Sequence, residues 1–201
     1  MAEILPANMH GYAEAAKLLR AGELVILPTD TVYGLAARAD DLKAIAEIYK
    51  VKQRPQAKAL SVVVFAPQHA KKLVHISPLA QSLMDRFWPG ALTLVLPARQ
   101  DVPTLAVRCP DIGWTQAFTK LGFTAPLVLP SANTSGLAAP TTAAGAQADI
   151  GDKVPLILDG GPCAGGREST IVALEQGRIK VLRTGVIAPE EFAEFGLVLP
   201  L

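Results

Sequence analysis

Short apolar runs of strand length alternate along this chain with segments of helical spacing, and this alternation limits the folds that are open to it. The predicted strands cover residues 24–27, 60–65, 92–96, 105–108, 127–129, 154–158, 169–174 and 178–182. The predicted helices cover residues 12–20, a segment that begins near 41, residues 77–87 and residues 113–121. Helical crossovers combined with a hairpin at 175–177 predict a mixed sheet. We therefore expect a single α/β domain over residues 1–201.

Two of the predicted helices carry clear N-terminal signals. Ser77 followed by Pro78 is the usual pairing of a capping residue with a proline in the first helical turn. Asp40 or Asp41 can cap the preceding helix in the same way. The spacing of that helix places four side chains on one face, namely Leu42, Ile45, Ala46 and Tyr49.

The composition indicates a globular protein. Half of the 201 residues are hydrophobic and the mean hydropathy is +0.31, so the chain can bury a sizeable core and is not disordered. Nineteen Lys and Arg against 18 Asp and Glu leave a net charge of +1, whereas a protein that grips long duplex nucleic acid usually has a large basic excess. An aromatic content of 5% also argues against a stacking platform for single strands.

Cysteine usage and the N-terminal sequence bear on the compartment. Cys109 and Cys163 form neither a disulfide framework nor a metal-ligand spacing, so we expect reduced thiols. No basic flank precedes an apolar stretch at the N-terminus, and the apolar runs are far shorter than the roughly 18–20 residues that a membrane helix needs. We expect a cytoplasmic protein that does not enter a membrane.

Two polar segments in the first third of the chain are candidates for a site. Residues 28–34 carry two threonines and an aspartate directly after a buried strand, where they can orient a small ligand or form a turn that caps itself. Taken alone, the self-capping turn is the simpler interpretation. Residues 50–58 carry four cations and no acid, which suits phosphate recognition and a solvated helix end about equally.

Two further segments are rich in hydroxyls and glycine. Residues 129–136 have the composition of an anion cradle, although in isolation an ordinary Ser/Asn/Gly loop is the better interpretation. Residues 159–170 imitate a Walker A loop, but Arg167 and Glu168 stand where that motif needs lysine and a hydroxyl, and a strand follows instead of a helix. We interpret the glycines at 160–166 as a mobile loop over a site.

Arg108 and Arg183 each end an apolar predicted strand. A structural arginine there needs a carboxylate partner, whereas an arginine that faces a pocket awaits an anionic ligand; the residues alone leave both open. Other chemistries find no support. There is no G-x-S-x-G elbow and no G-x-G-x-x-G after a strand, and the three histidines stand next to no obvious nucleophile.

Six short motifs follow one another along the chain. They are P-T-D-T-V-Y-G-L at 28–35, K-x-R-P at 52–55, R-F-W-P-G at 86–90, A-V-R at 106–108, P-S-A-N-x-S-G at 130–136, and I-L-D-G-G near E-S-T-I-V at 168–172. In this order they resemble the YrdC-like family of L-threonylcarbamoyladenylate synthases. The resemblance runs from Leu24 to Arg183, which is nearly the whole chain.

The resemblance implies a twisted mixed parallel and antiparallel sheet flanked by helices, with a positively charged concave cavity. It implies a nucleotidyl transfer in which ATP, L-threonine and bicarbonate give threonylcarbamoyl-AMP and pyrophosphate, with Mg²⁺ brought in by ATP. Partner proteins would then pass the threonylcarbamoyl group to an adenosine of tRNA, which is the t6A modification.

The resemblance also implies roles for residues, with no protein ligand to a metal. The catalytic set would be Lys52, Arg54, Ser131 and Asn133. The ATP-binding positions would be Arg54, Lys58, Thr104, Ser131, Ala139 and Arg183. The threonine-binding positions would be Thr31, Arg108, Leu129 and Ser169.

The chain departs from the family pattern at four places. Ala36 stands where members often have glycine, and Ala59 stands where they often have proline. Val63 is near the position where a histidine commonly lies beside the threonine, and Ala139 replaces the serine of a frequent Ser-Pro-Thr. The last two weaken side-chain contacts to substrates but leave the K-x-R and S-x-N sets intact. The chain resembles the short, single-domain form of the family, without the second C-terminal domain of longer members.

Two alternatives stay open at this point. One is a double-stranded RNA or ribosome-associated binding factor, suggested by the basic run at 50–58; the balanced net charge then predicts weak, salt-dependent RNA binding. The other is a carbamoyl-transfer paralogue of the same fold. The K-x-R and S-x-N pairs favour the synthase over the paralogue.

Overall fold

The computed structural model describes residues 2–99 and 102–199, which contain five α-helices around one eleven-stranded sheet. The helices are α1 (Met9–Arg20), α2 (Leu42–Val51), α3 (Pro78–Phe87), α4 (Gly113–Lys120) and α5 (Ala143–Ile150). The strands are β1 (Glu3–Pro6), β2 (Val25–Leu27), β3 (Gly34–Arg38), β4 (Val62–Val63), β5 (Leu92–Pro97), β6 (Thr104–Arg108), β7 (Leu127–Val128), β8 (Leu156–Asp159), β9 (Thr170–Glu175), β10 (Arg178–Arg183) and β11 (Val198–Leu199).

The sheet is mixed, as the alternation of elements predicts. Its strand order is β1-β8-β2-β3-β7-β4-β6-β5-β9-β10-β11. The pairs β1/β8, β2/β8, β4/β6, β5/β9 and β10/β11 are parallel, and the remaining neighbours are antiparallel. The predicted hairpin is the β9–β10 connection, where Gln176 and Gly177 both adopt the positive φ that a tight hairpin turn requires.

The core lies on both faces of the sheet because side chains alternate along each strand. Ile26 of β2 packs in one cluster with Ala44 and Ile48 of α2, whereas Val25 and Leu27 pack on the other face. That second cluster includes α1 and α4 and contains the stacked and edge-on aromatic group of Phe65, Trp114, Phe118 and Phe123. A third cluster joins α3 to the far half of the sheet.

The predicted capping signals are confirmed. The Ser77 hydroxyl accepts from the backbone N–H of Ala80, with Pro78 in the first turn of α3. Asp41 caps α2 by accepting from the N–H groups of Lys43 and Ala44.

The residues predicted to share the apolar face of α2 do not form its buried face, so this prediction is wrong. Leu42 is 80% exposed, and the buried side chains are Ala44, Ile48 and Val51. These three also recur at helical spacing, and they pack together in one core cluster.

Four elements of the structure escape the sequence prediction. β1 and β11 are short strands at the two sheet edges. β3 reads G-L-A-A-R, and α5 is a run of small residues whose pattern has little amphipathic character. Conversely, the strand predicted at 60–65 contracts to Val62–Val63.

Both cysteines are buried free thiols, and burial raises the pKa of Cys109 to about 12. Within residues 2–99 and 102–199, no helix has the length and apolar character needed to cross a membrane.

A buried threonine joins β9 to the segment that follows β10. The Thr170 hydroxyl donates to the carbonyl of Ile187 at 2.6 Å and accepts from the N–H groups of Gly185 and Ile187. Thr170→Val leaves these backbone groups without partners, so we expect the free energy of unfolding to fall by about 3 kcal/mol in urea titration.

The matched control for this substitution is Thr119→Val. The Thr119 hydroxyl donates to a helix carbonyl on the exposed side of α4, so its loss should cost less than about 1 kcal/mol. Equal losses in the two variants would contradict the structural role of Thr170.

Candidate functional site

A cavity of about 130 Å³ opens on one face of the sheet. Its titratable lining residues, within the part of the chain that the structure describes, are Arg54, Arg108, Arg183 and Glu168. Hydroxyl groups come from Thr29, Thr31, Ser61, Thr93, Ser131 and Ser169. Apolar side chains, including those of Val63 and Leu129, complete the wall. Cations and hydroxyls beside apolar wall residues suit a ligand with anionic groups.

The floor of the cavity is one register row across five neighbouring strands. Val63 of β4 lies opposite Arg108 of β6, and Arg108 lies opposite Thr93 of β5. Thr93 is in turn opposite Ile171 of β9, which faces Arg183 of β10. All five line the cavity. Because residues in register on adjacent strands share a face of the sheet, strand pairing alone brings the two arginines into one site.

A β-bulge completes this row. The register of β9 with β10 shifts between Val181 and Arg183, so Ile171 faces Arg183 instead of Leu182. Leu182 is 41% exposed, whereas Arg183 lines the cavity. Bulges commonly re-aim a side chain in this way.

Arg108 is both paired and turned toward the cavity, so both of the roles left open by its position apply. Its Nη2 donates to Asp30 Oδ1 at 2.5 Å, its Nη1 to Thr31 Oγ1 at 2.8 Å, and its Nε to the carbonyl of Gly90 at 2.9 Å. Burial lowers the pKa of Arg108 and the carboxylate of Asp30 opposes that shift. One N–H on each terminal nitrogen is left for a ligand.

The threonines at 29 and 31 form the predicted self-capping turn and also supply a cavity group. The Thr29 hydroxyl donates to the carbonyl of Val32 at 2.6 Å and accepts from the N–H groups of Thr31 and Val32. The two threonine hydroxyls lie 2.9 Å apart, and both residues line the cavity.

Arg183 is held along one edge by Ser169. Its Nε and Nη2 donate to the Ser169 carbonyl at 3.1 and 2.9 Å, and its Nη1 donates to Glu168 Oε1 at 2.7 Å. The Ser169 hydroxyl lies 2.8 Å from that of Thr93. Thr93, a polar residue inside an otherwise apolar strand, is a lining residue that the sequence reasoning did not assign.

Arg54 lines the cavity and shapes the loop beside it. Its Nε donates to the Lys58 carbonyl at 3.0 Å and its Nη2 to the Ala59 carbonyl at 2.8 Å. The Lys58 side chain itself is exposed. Seven of the predicted site residues line the cavity: Thr31, Arg54, Arg108, Leu129, Ser131, Ser169 and Arg183. The other predicted site residues do not line it: Lys52, Lys58, Thr104, Asn133 and Ala139.

Lys52 lies beneath the 131–136 loop and is 1% exposed. Its Nζ donates to the carbonyl of Ser131, to the carbonyl of Asn133 at 2.7 Å and to Asn133 Oδ1 at 3.4 Å. Burial lowers the pKa of Lys52 to about 8. Three acceptors match the three N–H groups of an ammonium, so Lys52 anchors the loop that presents Ser131 to the cavity.

Asn133 and Asp149 secure the same loop from other sides. The Asn133 amide donates to the carbonyls of Thr134 and Leu137, and Asp149 accepts from the backbone N–H and the hydroxyl of Thr134. Lys52 of the K-x-R motif therefore clamps the loop that carries the S-x-N motif.

The glycine-rich loop at 160–166 packs against the segment at 30–33, and its mobility over a site stays a prediction. None of its residues belongs to the cavity lining that the structure describes. The loop contacts residues 30–33: Tyr33 donates to the carbonyl of Gly161 and accepts from Gly160 N–H, and Gly165 N–H donates to the carbonyl of Asp30. Tyr33 is fully buried, which raises its pKa to about 12. A Cβ at Gly165 would lie 2.7 Å from the carbonyl oxygen of Asp30, which is too close for any residue other than glycine.

The basic run at 50–58 does not form a continuous surface patch. Lys52 is buried and Arg54 is bound to backbone carbonyls, which leaves Lys50 and Lys58 exposed. Lys50 is moreover paired with Glu47. The exposed basic surface that suggested RNA binding therefore consists of two cations in this run.

The sequence is similar to a known protein family and to several of its named members. The sequence family described as Telomere recombination, Sua5/YciO/YrdC, matches residues 17–185. Threonylcarbamoyl-AMP synthases of Bacillus subtilis and Pyrococcus abyssi are each 38% identical to this chain, over 93% and 88% of it. These alignments cover 57% and 54% of the relatives, so the chain spans somewhat more than half of their length.

A solved structure shows the same similarity in three dimensions. The crystal structure of P. abyssi Sua5 complexed with L-threonine superimposes with a TM-score of 0.89 at 33% identity. The superposition covers 99% of this chain and 62% of that one. It supports the predicted α/β fold with a mixed sheet flanked by helices.

Lys52→Met tests the clamp under the 131–136 loop. Methionine has a similar length but no N–H, so three buried oxygens lose their donor. We expect the free energy of unfolding to fall by about 3 kcal/mol and amide exchange in the loop to accelerate.

Lys50→Met is the control, because Lys50 lies two residues away on the surface. Its i,i+3 pair with Glu47 should contribute less than about 0.5 kcal/mol. A Lys52→Met variant as stable as Lys50→Met, with unchanged exchange in the loop, would contradict the clamp.

Proposed function

The chain belongs to the Sua5/YciO/YrdC family, and on that premise we propose that it makes threonylcarbamoyl-AMP and pyrophosphate from ATP, L-threonine and bicarbonate, for the t6A modification of tRNA. The observation that carries the proposal is the register row that sets Arg108 and Arg183 on one cavity floor with the hydroxyls of Thr93 and Ser169 between them. Two separate cationic positions suit two anionic substrates, an amino acid and a nucleotide.

Threonine binds at Arg108 in this proposal. The guanidinium retains one N–H on each terminal nitrogen, and a carboxylate can accept both. Thr31 and Ser169 lie on either side as small polar groups, and the main chain near Leu129 closes the wall. Val63, opposite Arg108 in the sheet, gives this wall an apolar surface.

ATP binds along Arg54, Ser131 and Arg183, which line the cavity together. Lys58 and Thr104 are exposed and would contact the nucleotide from outside the cavity, as would the half-buried Ala139. Thr104 begins the strand whose Ala106 and Arg108 line the site, so the nucleotide can reach both.

The chemistry follows from where charge builds up. The neutral amine of threonine and bicarbonate condense to N-carboxythreonine with loss of one water. A carbamate oxygen then attacks the α-phosphorus of ATP; the bond between the α-phosphorus and the pyrophosphate breaks, and its electrons leave with pyrophosphate. Arg54 and Arg183 are cavity cations that stabilise this charge. The carbamate is already an anionic nucleophile, so the protein works mainly by positioning and electrostatics.

Lys52 and Asn133 act through the loop they secure. Every N–H of the Lys52 ammonium is directed to that loop, so its contribution is to place Ser131 against the nucleotide. We assign both as positioning residues.

Mg²⁺ fits this site as an ion held by the phosphates of ATP. Glu168 is the carboxylate among the described lining residues, and Arg183 already engages it. A magnesium ion at a nucleotide site usually takes no more than one or two carboxylates from the protein, and its other ligands are phosphate oxygens and water. It would neutralise phosphate charge during the transfer.

The product passes to partner proteins of the threonylcarbamoyl transfer step in this proposal. Direct RNA binding has little support, because the exposed part of the basic run is reduced to Lys50 and Lys58. tRNA would therefore be met through those partners.

Pyrophosphate release by the purified protein tests the reaction. We expect release only when ATP, L-threonine and bicarbonate are all present, together with a threonylcarbamoyl adenylate detectable by mass spectrometry. Release that is independent of threonine or bicarbonate would contradict the proposed reaction.

Arg108→Lys tests the threonine position. A lysine cannot keep the contacts to Asp30, Thr31 and Gly90 and also present two N–H groups to a carboxylate. We expect KM for threonine to rise by about 100-fold, as for loss of roughly 3 kcal/mol of charged hydrogen bonding, with the ATP dissociation constant nearly unchanged.

Arg178→Lys on the exposed end of β10 is the control and should behave as the parent protein. A parallel loss of threonine and ATP affinity in Arg108→Lys would show that the substitution disturbs the whole cavity and would overturn the assignment.

A further inference from the structure

The two arginines of the cavity floor each carry a carboxylate partner, but the two ion pairs differ in exposure. In the Asp30–Arg108 pair the side chains are 17% and 10% exposed. In the Glu168–Arg183 pair they are 38% and 36% exposed, and both residues line the cavity, whereas Asp30 does not. The Asp30–Arg108 pair is therefore a fixed part of the wall, whereas the Glu168–Arg183 pair is accessible to a ligand that enters the cavity.

Arg183 does not need Glu168 to hold its position. Two of its nitrogens, Nε and Nη2, donate to the Ser169 carbonyl, and Nη2 also approaches the Ser169 hydroxyl at 3.2 Å. Glu168 engages only the remaining nitrogen, Nη1. The guanidinium would therefore stay in place if the carboxylate moved away.

The main chain at Glu168 is fixed while its side chain can turn. The Glu168 carbonyl accepts from the N–H of Val186, and Gly185 packs directly against the same carbonyl. Movement of the carboxylate thus requires only rotations within one side chain. A half-exposed ion pair contributes little stability, so exchanging it for another anion is easy.

We infer that Glu168 is a built-in competing anion, which occupies Arg183 Nη1 until a phosphate group of the nucleotide displaces it, and which thereby sets how tightly the site holds polyphosphates. This rests on the proposed binding of ATP at Arg183. A nucleoside triphosphate carries several negative charges and displaces the single carboxylate, whereas a monoanion gains little from the exchange. The same competition weakens the hold on pyrophosphate, so that the product leaves.

Glu168→Gln tests this directly. Glutamine keeps the shape and an acceptor oxygen but removes the charge, so ATP and pyrophosphate should bind about tenfold more tightly in calorimetry at low salt. The gain should shrink below about twofold at high salt, because half-exposed charges are screened. Threonine affinity should not change, and Glu168→Asp, which keeps the charge, should bind ATP more like the parent protein than Glu168→Gln does.

Glu175→Gln is the matched control, because Glu175 pairs with Lys180 on the same β9–β10 hairpin but outside the cavity lining. Its ATP affinity should equal that of the parent. Unchanged or weaker ATP binding by Glu168→Gln, or a gain that does not depend on salt, would overturn the inference. Failure of the parent protein to bind ATP would instead refute the proposed function, so the two failures are distinguishable.

Discussion

The site depends on the pairing register of five neighbouring strands. A one-residue slip between any two of them would turn a side chain of the row to the opposite face, because side chains alternate along a strand. The row therefore exists only while Val63, Arg108, Thr93, Ile171 and Arg183 keep their mutual positions. The bulge before Arg183 is part of the same constraint, since it decides which residue of β10 faces Ile171. The hydrogen bonds of the buried Thr170 hydroxyl hold the chain beyond β10 next to this row.

The cationic side chains around this row differ in whether their hydrogen-bond partners are fixed or can be replaced by a ligand. Arg108 is immobilised by the largely buried carboxylate of Asp30, a hydroxyl and a carbonyl, and Lys52 is bound to the 131–136 loop. Arg183 is fixed on one edge but offers its remaining nitrogen to a half-exposed partner. Preorganised donors of this kind need little rearrangement when a charged ligand arrives. In our proposal the fixed arginine takes the amino acid and the exchangeable one takes the nucleotide.

Local patterns predict much of the fold, and the exceptions have identifiable causes. Strands rich in Val, Ile and Leu and helices with capping signals are recognisable because their stabilising contacts lie within a few residues. β3 is missed because Gly-Leu-Ala-Ala-Arg has weak strand preference and is extended through pairing with β2 and β7. The buried face of α2 is misjudged because the face that packs in the core carries a small residue, Ala44, whereas the larger Leu42 is exposed. β1 and β11 depend on neighbours that are distant in sequence.

The sequence by itself determined the α/β class, the motif set and the family resemblance, because these reside in residue types and in spacings of a few positions. It named seven residues that do line the cavity. Only the tertiary structure decided that Lys52 is a buried clamp, that the glycine loop packs against Tyr33, and that Thr93 and Glu168 line the cavity. The physical reason is that each of these facts is a contact across strands or loops far apart in the chain. Such contacts depend on which strands pair and in what register, and no local pattern in the sequence specifies that.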